Sequence, residues 1–162
     1  MIQRRQTIFM LLSAIISALL FFMPLASFNA DGNIMQFTIF GIRNPIDSLS
    51  LTTAYTWPLV ILTFLMTIVP VVTIFLYKKR ELQVRLCRIN ILATVIFIGL
   101  VFLYYENDIL KIIAAVEGDQ YQLDVAYFIG MAIPLVNLVL EILAIRGIKK
   151  DIELLKSIDR LR

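Results

Sequence analysis

Four apolar stretches, each about as long as a bilayer's hydrocarbon core is thick, constrain this chain more than any other feature. They run from Thr7 to Phe28, Thr56 to Tyr77, Leu86 to Tyr105 and Val125 to Ile145. Crossing the core takes about 20 helical residues at a 1.5 Å rise, so each stretch is a candidate span. The composition agrees, with 60% of residues apolar and 17% charged and a mean hydropathy of +0.86; soluble domains lie nearer 45 to 50% apolar. The fold class expected is an all-α membrane protein of one domain over residues 1–162. It is a four-transmembrane-helix bundle with a small extracytoplasmic β-hairpin and a cytoplasmic amphipathic C-terminal helix.

The first stretch has a competing reading. Arg4 and Arg5 precede an apolar run, as in a signal peptide. The run is longer than a usual signal core, and Leu25, Ala26, Ser27 and Phe28 after Pro24 offer no small-x-small cleavage site. Retention as a membrane helix is expected.

Charge sets the orientation. Basic residues gather at the N-terminus (Arg4, Arg5), between the second and third stretches (Lys78, Lys79, Arg80, Arg85, Arg88), and after the fourth (Arg146, Lys149, Lys150, Lys156, Arg160, Arg162). The two other connections hold Arg43 and Lys111 against Asp31, Asp47, Glu106, Asp108, Glu117, Asp119 and Asp124. By the positive-inside rule both termini and the middle loop are cytoplasmic. The net charge of +3 is therefore a sum over two faces of opposite sign, and a nucleic-acid partner is not expected.

Between the first two stretches Met35, Phe37 and Ile39 alternate with Gln36 and Thr38, and Leu49 and Leu51 alternate with Ser48, Ser50 and Thr52. Period two predicts strands, and Gly41, Asn44 and Pro45 supply the turn of a hairpin. In the other outer connection, Asp108 to Glu117 reads as a short helix stopped by Gly118. Tyr121, Leu123 and Val125 then alternate, as a third strand or as an irregular loop. At the C-terminus Ile148, Ile152, Leu155, Ile158 and Leu161 recur at steps of three and four, an amphipathic helix over 146–162. Three readings of it stand: lying among inner headgroups, docking a partner, or folding back on or extending the fourth helix.

Candidate chemistry is sparse. With no His and one Cys, Cys87, imidazole catalysis, His-ligated metal or haem, and disulfide cycling are excluded. The six Gly are scattered and form no phosphate loop. Asp119 and Asp124 read as a solvated acidic face sooner than as a divalent-ion site. No cofactor and no enzymatic activity are expected. Trp57, Tyr55, Tyr77, Tyr104 and Tyr105 fall at span ends as an aromatic belt.

Glu141 is the one ionisable residue inside a span, about 7 Å short of Arg146 by helical rise. Its burial requires a partner or a proton. Asn137 lies one turn away on the same face, and Arg88 on the third helix is the expected ion-pair partner, with Arg146 in competition. Glu141 and Asn137 thus read either as a structural ion pair with Arg88 or as a proton or cation site. Pro70 and Pro134 add potential kinks. The leading function is a non-catalytic interaction or scaffold module in a membrane. Its basic surface (Lys78, Lys79, Arg80, Arg85, Lys149, Lys150, Lys156, Arg160) would contact anionic lipid headgroups, a membrane partner or a second copy. The alternative is a small proton- or cation-coupled transporter using Glu141 and Asn137.

Four segments carry a family resemblance: Met1-Ile-Gln-Arg-Arg-Gln-Thr7; Phe21-Phe-Met-Pro-Leu-Ala26; Tyr77-Lys-Lys-Arg-Glu-Leu-Gln-Val-Arg-Leu-Cys-Arg-Ile-Asn90; and Leu143-Ala-Ile-Arg-Gly-Ile-Lys-Lys-Asp151 with Ser157-Ile-Asp-Arg-Leu-Arg162. With these the chain resembles an uncharacterised bacterial family of four-span integral membrane proteins, domain of unknown function 4293. The resemblance implies an inner-membrane location and a retained first helix. It implies no activity, substrate or site residue.

Overall fold

A computed structural model describes residues 5–30, 33–43, 56–77, 79–105, 124–127 and 129–160. Among these, four helices carry the chain: α1 (Arg5–Leu19), α2 (Trp57–Phe75), α3 (Arg80–Gly99, continued by a π-helical stretch Leu100–Tyr105) and α4 (Ile129–Arg160). Three are long and apolar enough to cross a membrane, over Trp57–Phe75, Arg80–Leu103 and Gly130–Leu154.

One periodicity explains how they pack. The buried residues of α1 are spaced four, three, four and three apart (Gln6, Met10, Ser13, Ser17, then Leu20 just beyond its end), and α2 repeats this with Leu59, Thr63, Met66, Pro70 and Thr73. On α3 the stripe is Gln83, Cys87, Asn90, Thr94 and Phe97, and on α4 it is Ile133, Asn137, Glu141, Ala144 and Ile148. A repeat near 3.5 residues keeps one seam of each helix facing its neighbours. Accordingly α1 packs on α2 and α4, and α3 packs on α2 and α4, so the four close into a ring. Ser13 meets Glu141, and Gln83 meets the Thr73 carbonyl, so neighbours run antiparallel.

A four-stranded antiparallel sheet lies at one end, in the order β3 (Gly41–Arg43), β2 (Asn33–Thr38), β1 (Ala26–Ala30), β4 (Asp124–Tyr127). Pairing runs Ala26 to Phe37 and Ala26 to Tyr127, and Leu25 N–H extends the ladder to Phe37 O at 2.8 Å. The β2–β3 turn needs Gly41 at φ 131°, a backbone region L side chains rarely adopt; Thr38 Oγ1 donates to Gly41 O across it at 2.9 Å. Beneath the sheet Leu20, Leu25, Phe37, Ile39, Leu59, Phe97, Val101 and Ile133 form an apolar layer. The other end holds the short Leu76–Lys79 turn, the start of α1 and the end of α4.

Several sequence expectations are corrected. The first helix was expected to reach Phe28. It ends at Leu19, tightens into i to i−3 hydrogen bonds at Leu20, Phe21 and Phe22, and is stopped by Pro24, because the residue before a proline is driven out of helical geometry. Ala26 to Phe28, apolar enough to pass for helix, instead form the first strand. The strand expected at Met35 to Ile39 is β2, Asn33–Thr38, with Ile39 in the turn; it pairs with β1 and β3, making a sheet where a hairpin was expected; the expected second arm, Leu49 to Leu51, lies outside the described residues, as does the helix expected at 108–117. The fourth helix was expected from Val125, but residues 124–127 are strand and the helix begins at Ile129. The third begins at Arg80, six residues before the expected Leu86. The amphipathic C-terminal helix is no separate element. It is the last third of α4, held down by buried Ile148, by Gln6 Nε2 donating to Asp151 Oδ2 at 3.2 Å, and by Arg80 Nη1 donating to Asp151 O at 3.2 Å.

Candidate functional site

The interior of the helix ring is polar where a water-soluble protein would be apolar. Ser13, Asn90, Thr94, Asn137 and Glu141 are all fully buried. Each occupies the inward stripe of its helix, so the spacing that packs the helices also gathers the polar side chains. Asn90 Nδ2 donates to Glu141 Oε1 at 2.9 Å. Ser13 Oγ lies 2.9 Å from the same oxygen and 2.5 Å from Asn137 Oδ1. Asn137 Nδ2 donates to Thr94 Oγ1 at 3.3 Å, and Thr94 Oγ1 donates to Asn90 O at 2.9 Å. The network thereby joins α1, α3 and α4.

Helix α2 contributes no side chain to it, for a local reason. Thr63, Thr67 and Thr73 give their hydroxyl hydrogens to carbonyls four residues back, at 2.8, 2.9 and 2.6 Å, a pattern open to Ser and Thr inside helices. Cys87, buried one turn from Asn90, borders the Glu141 carboxyl. Several buried acceptors have no hydrogen-bond partner among the described residues: Glu141 Oε2, Asn90 Oδ1, Gln83 Oε1 and Gln6 Oε1, along with the Ser17 hydroxyl.

Glu141 and Asn137 come together as expected from their one-turn spacing, but Arg88 does not join them. Arg88 is exposed and Asn90 takes its place. Two residues along a helix is about 200° of rotation, so Arg88 and Asn90 point to nearly opposite faces. Arg146 is exposed as well. Ser13, Ser17 and Thr94 were missed by sequence reasoning; the signal available was polar residues recurring on an otherwise apolar helix at the same 3.5-residue period as its core.

Apart from Arg43 on β3, the described basic residues lie toward the end opposite the sheet. Lys79, Arg85, Arg88, Arg146, Lys149 and Lys150 are exposed, and Arg80 is half-buried against Asp151. Lys156 and Arg160 fall on α4 with side chains outside the described set, and Lys78 is outside it altogether. Among the described residues no three His, Cys, Asp or Glu side chains are grouped to hold a metal ion.

The outward faces are apolar on every helix. α1 exposes Ile8, Leu11, Leu12, Ile15 and Leu19; α2 exposes Ile61, Phe64, Ile68, Val71, Val72 and Phe75; α3 exposes Ile89, Leu92, Val95 and Ile96; α4 exposes Leu135, Val136, Val139 and Ile142. Water-soluble monomers do not present a continuous apolar surface of this extent.

A family model described as a domain of unknown function (DUF4293) matches residues 2–161. No curated protein and no solved structure matches the chain.

Proposed function

The chain belongs to the DUF4293 family, a domain of unknown function, and we propose that it is a four-span protein of the bacterial inner membrane whose basic face binds anionic headgroups. In this reading it is a non-catalytic module, with both termini and the α2–α3 turn cytoplasmic and the sheet outside. The observation that carries it is the inverted polarity of the helix ring: polar stripes inside, large apolar side chains outside, on α1 as much as on the three longer helices. Lipid is the solvent that favours this arrangement.

Helix α1 is the short one. Its 15 residues cover about 22 Å, and the tightened turn Leu20 to Phe22 with Met23 after it adds about 7 Å at helical rises. That reaches the roughly 30 Å of a hydrocarbon core. Exposed Trp57 and Phe22 at the sheet end, and Tyr77 at the other, sit where an aromatic belt belongs.

Six exposed cations at the end opposite the sheet support the headgroup reading, each worth about 1 kcal/mol beside an anionic surface. The transporter reading needs a polar path from Glu141 to both faces. The apolar layer of Leu20, Leu59, Phe97, Val101 and Ile133 stands between the network and the sheet, which favours the module.

The test is thermal unfolding of the purified protein in nanodiscs of phosphatidylglycerol or phosphatidylcholine. The wild type should be more stable in phosphatidylglycerol, and the difference should vanish on combining Arg85→Gln, Arg88→Gln, Lys149→Gln and Lys150→Gln. Equal stability of the wild type in the two lipids would contradict headgroup binding.

A further inference from the structure

Ser13 has one hydroxyl hydrogen, yet its Oγ lies within hydrogen-bond distance of both Asn137 Oδ1 and Glu141 Oε1. The orientation of the Asn137 amide decides which contact goes without. Thr94 Oγ1 donates to Asn90 O and accepts from Asn137 Nδ2, an arrangement that turns the amide oxygen to Ser13. Ser13 therefore donates to Asn137, and the 2.9 Å contact between Ser13 Oγ and Glu141 Oε1 lacks a hydrogen unless Glu141 supplies one.

The surroundings of the carboxyl point the same way. α1 presents Ser13 and Ser17 to the interior, α2 presents Thr63, Met66 and Pro70, and α3 presents Asn90 with Cys87, the other titratable group there. The nearest cations along the sequence, Arg88 and Arg146, are exposed. Glu141 itself is fully buried, and its Oε2 has no donor among the described residues. An isolated charge in such a setting is strongly disfavoured.

We propose that Glu141 is a proton-binding site, its carboxylic acid proton held on Oε1 and donated to Ser13 Oγ. Toward the sheet the interior is closed by the apolar layer. In the other direction a second apolar layer, of Met10, Val84, Cys87, Ala144 and Ile148, separates Glu141 from Gln83 and the α2–α3 turn. A site enclosed by both layers binds a proton without conducting it. Loss of the proton removes the hydrogen that links Glu141 on α4 to Ser13 on α1, so the protonation state of Glu141 governs the α1–α4 contact. The site does not depend on headgroup binding, and the two fail separately.

The experiment is infrared spectroscopy of the protein in native-lipid nanodiscs at neutral pH, in water and after transfer to D₂O. A protonated-carboxylic-acid C=O band is expected, shifting on deuteration, lost in Glu141→Gln and displaced in Ser13→Ala, which removes the acceptor. Ser17→Ala, which has no hydrogen bond to the carboxyl, should leave the band unmoved. Absence of the band from the wild type, with carboxylate bands that disappear in Glu141→Gln, would overturn the site. If Glu141→Gln does not fold, a wild-type band unmoved by Ser13→Ala overturns the assignment of the proton to Oε1.

Discussion

At the residue scale, the interior depends on side chains that are small or can share a hydrogen. Gly130 opens α4 where the helix passes against the backbone of Pro24. A Cβ there would fall 2.3 Å from Pro24 O, a clash that only backbone movement relieves. Gly130→Ala should therefore cost about 1 to 3 kcal/mol, the usual range for overpacking, read as a lowered midpoint of detergent-induced unfolding. Ser13→Ala should cost less, about 0.6 kcal/mol and at most about 1.7, as for other interhelical hydrogen bonds in membranes. Glu141 and Asn137 were legible from their spacing on an apolar helix. Asn90 as the carboxyl's partner was not, because opposite charge drew attention to Arg88. Only the angular position of a residue on its helix separates the two, and that requires knowing which face of α3 is inward.

At the element scale, the bounds of α2 were legible from where apolarity starts and stops, and the others were not: apolarity continues through a change of structure after α1, while α3 begins and α4 ends within charged sequence. The run from Thr7 to Phe28 is apolar through both helix and strand, and Pro24 was the punctuation that divided it. Alternation at Met35 to Ile39 correctly marked a strand, yet its partner came from the segment just before it in sequence. At the other end of the chain, the amphipathic pattern after Arg146 was read correctly, and its continuity with α4 follows from having no breaker: Gly147 is tolerated because α1 passes close, with Gln6 Cβ only 3.2 Å from where a Gly147 side chain would begin. Ile148 is the buried anchor of that last third, packed with Met10, Val84 and Ala144. Ile148→Ala should cost about 2 to 5 kcal/mol and expose the tail to limited proteolysis after Lys149 and Lys150, whereas the exposed Leu154→Ala should leave the cleavage pattern unchanged.

At the scale of the whole molecule, composition and charge arrangement described the exterior well, and neither described the interior. An apolar excess says that a chain has lipid to satisfy. It does not say that the polar residues left over are collected on one stripe of each helix. The 3.5-residue repeat does both at once, turning the polar stripes of α1, α3 and α4 toward one another and the large side chains outward. The central claim is that all four helices, the short α1 included, lie across the membrane with the sheet on one side and both termini on the other. Sided labelling tests it most directly. In a Cys87→Ser background, single cysteines are placed by Gln3→Cys before α1, Thr38→Cys on the sheet and Lys149→Cys on α4, and intact cells are treated with a membrane-impermeant maleimide. Thr38→Cys should react in intact cells, and Gln3→Cys and Lys149→Cys only after the membrane is permeabilised. Labelling of Gln3→Cys from the same side as Thr38→Cys would contradict the account, because α1 would then not cross.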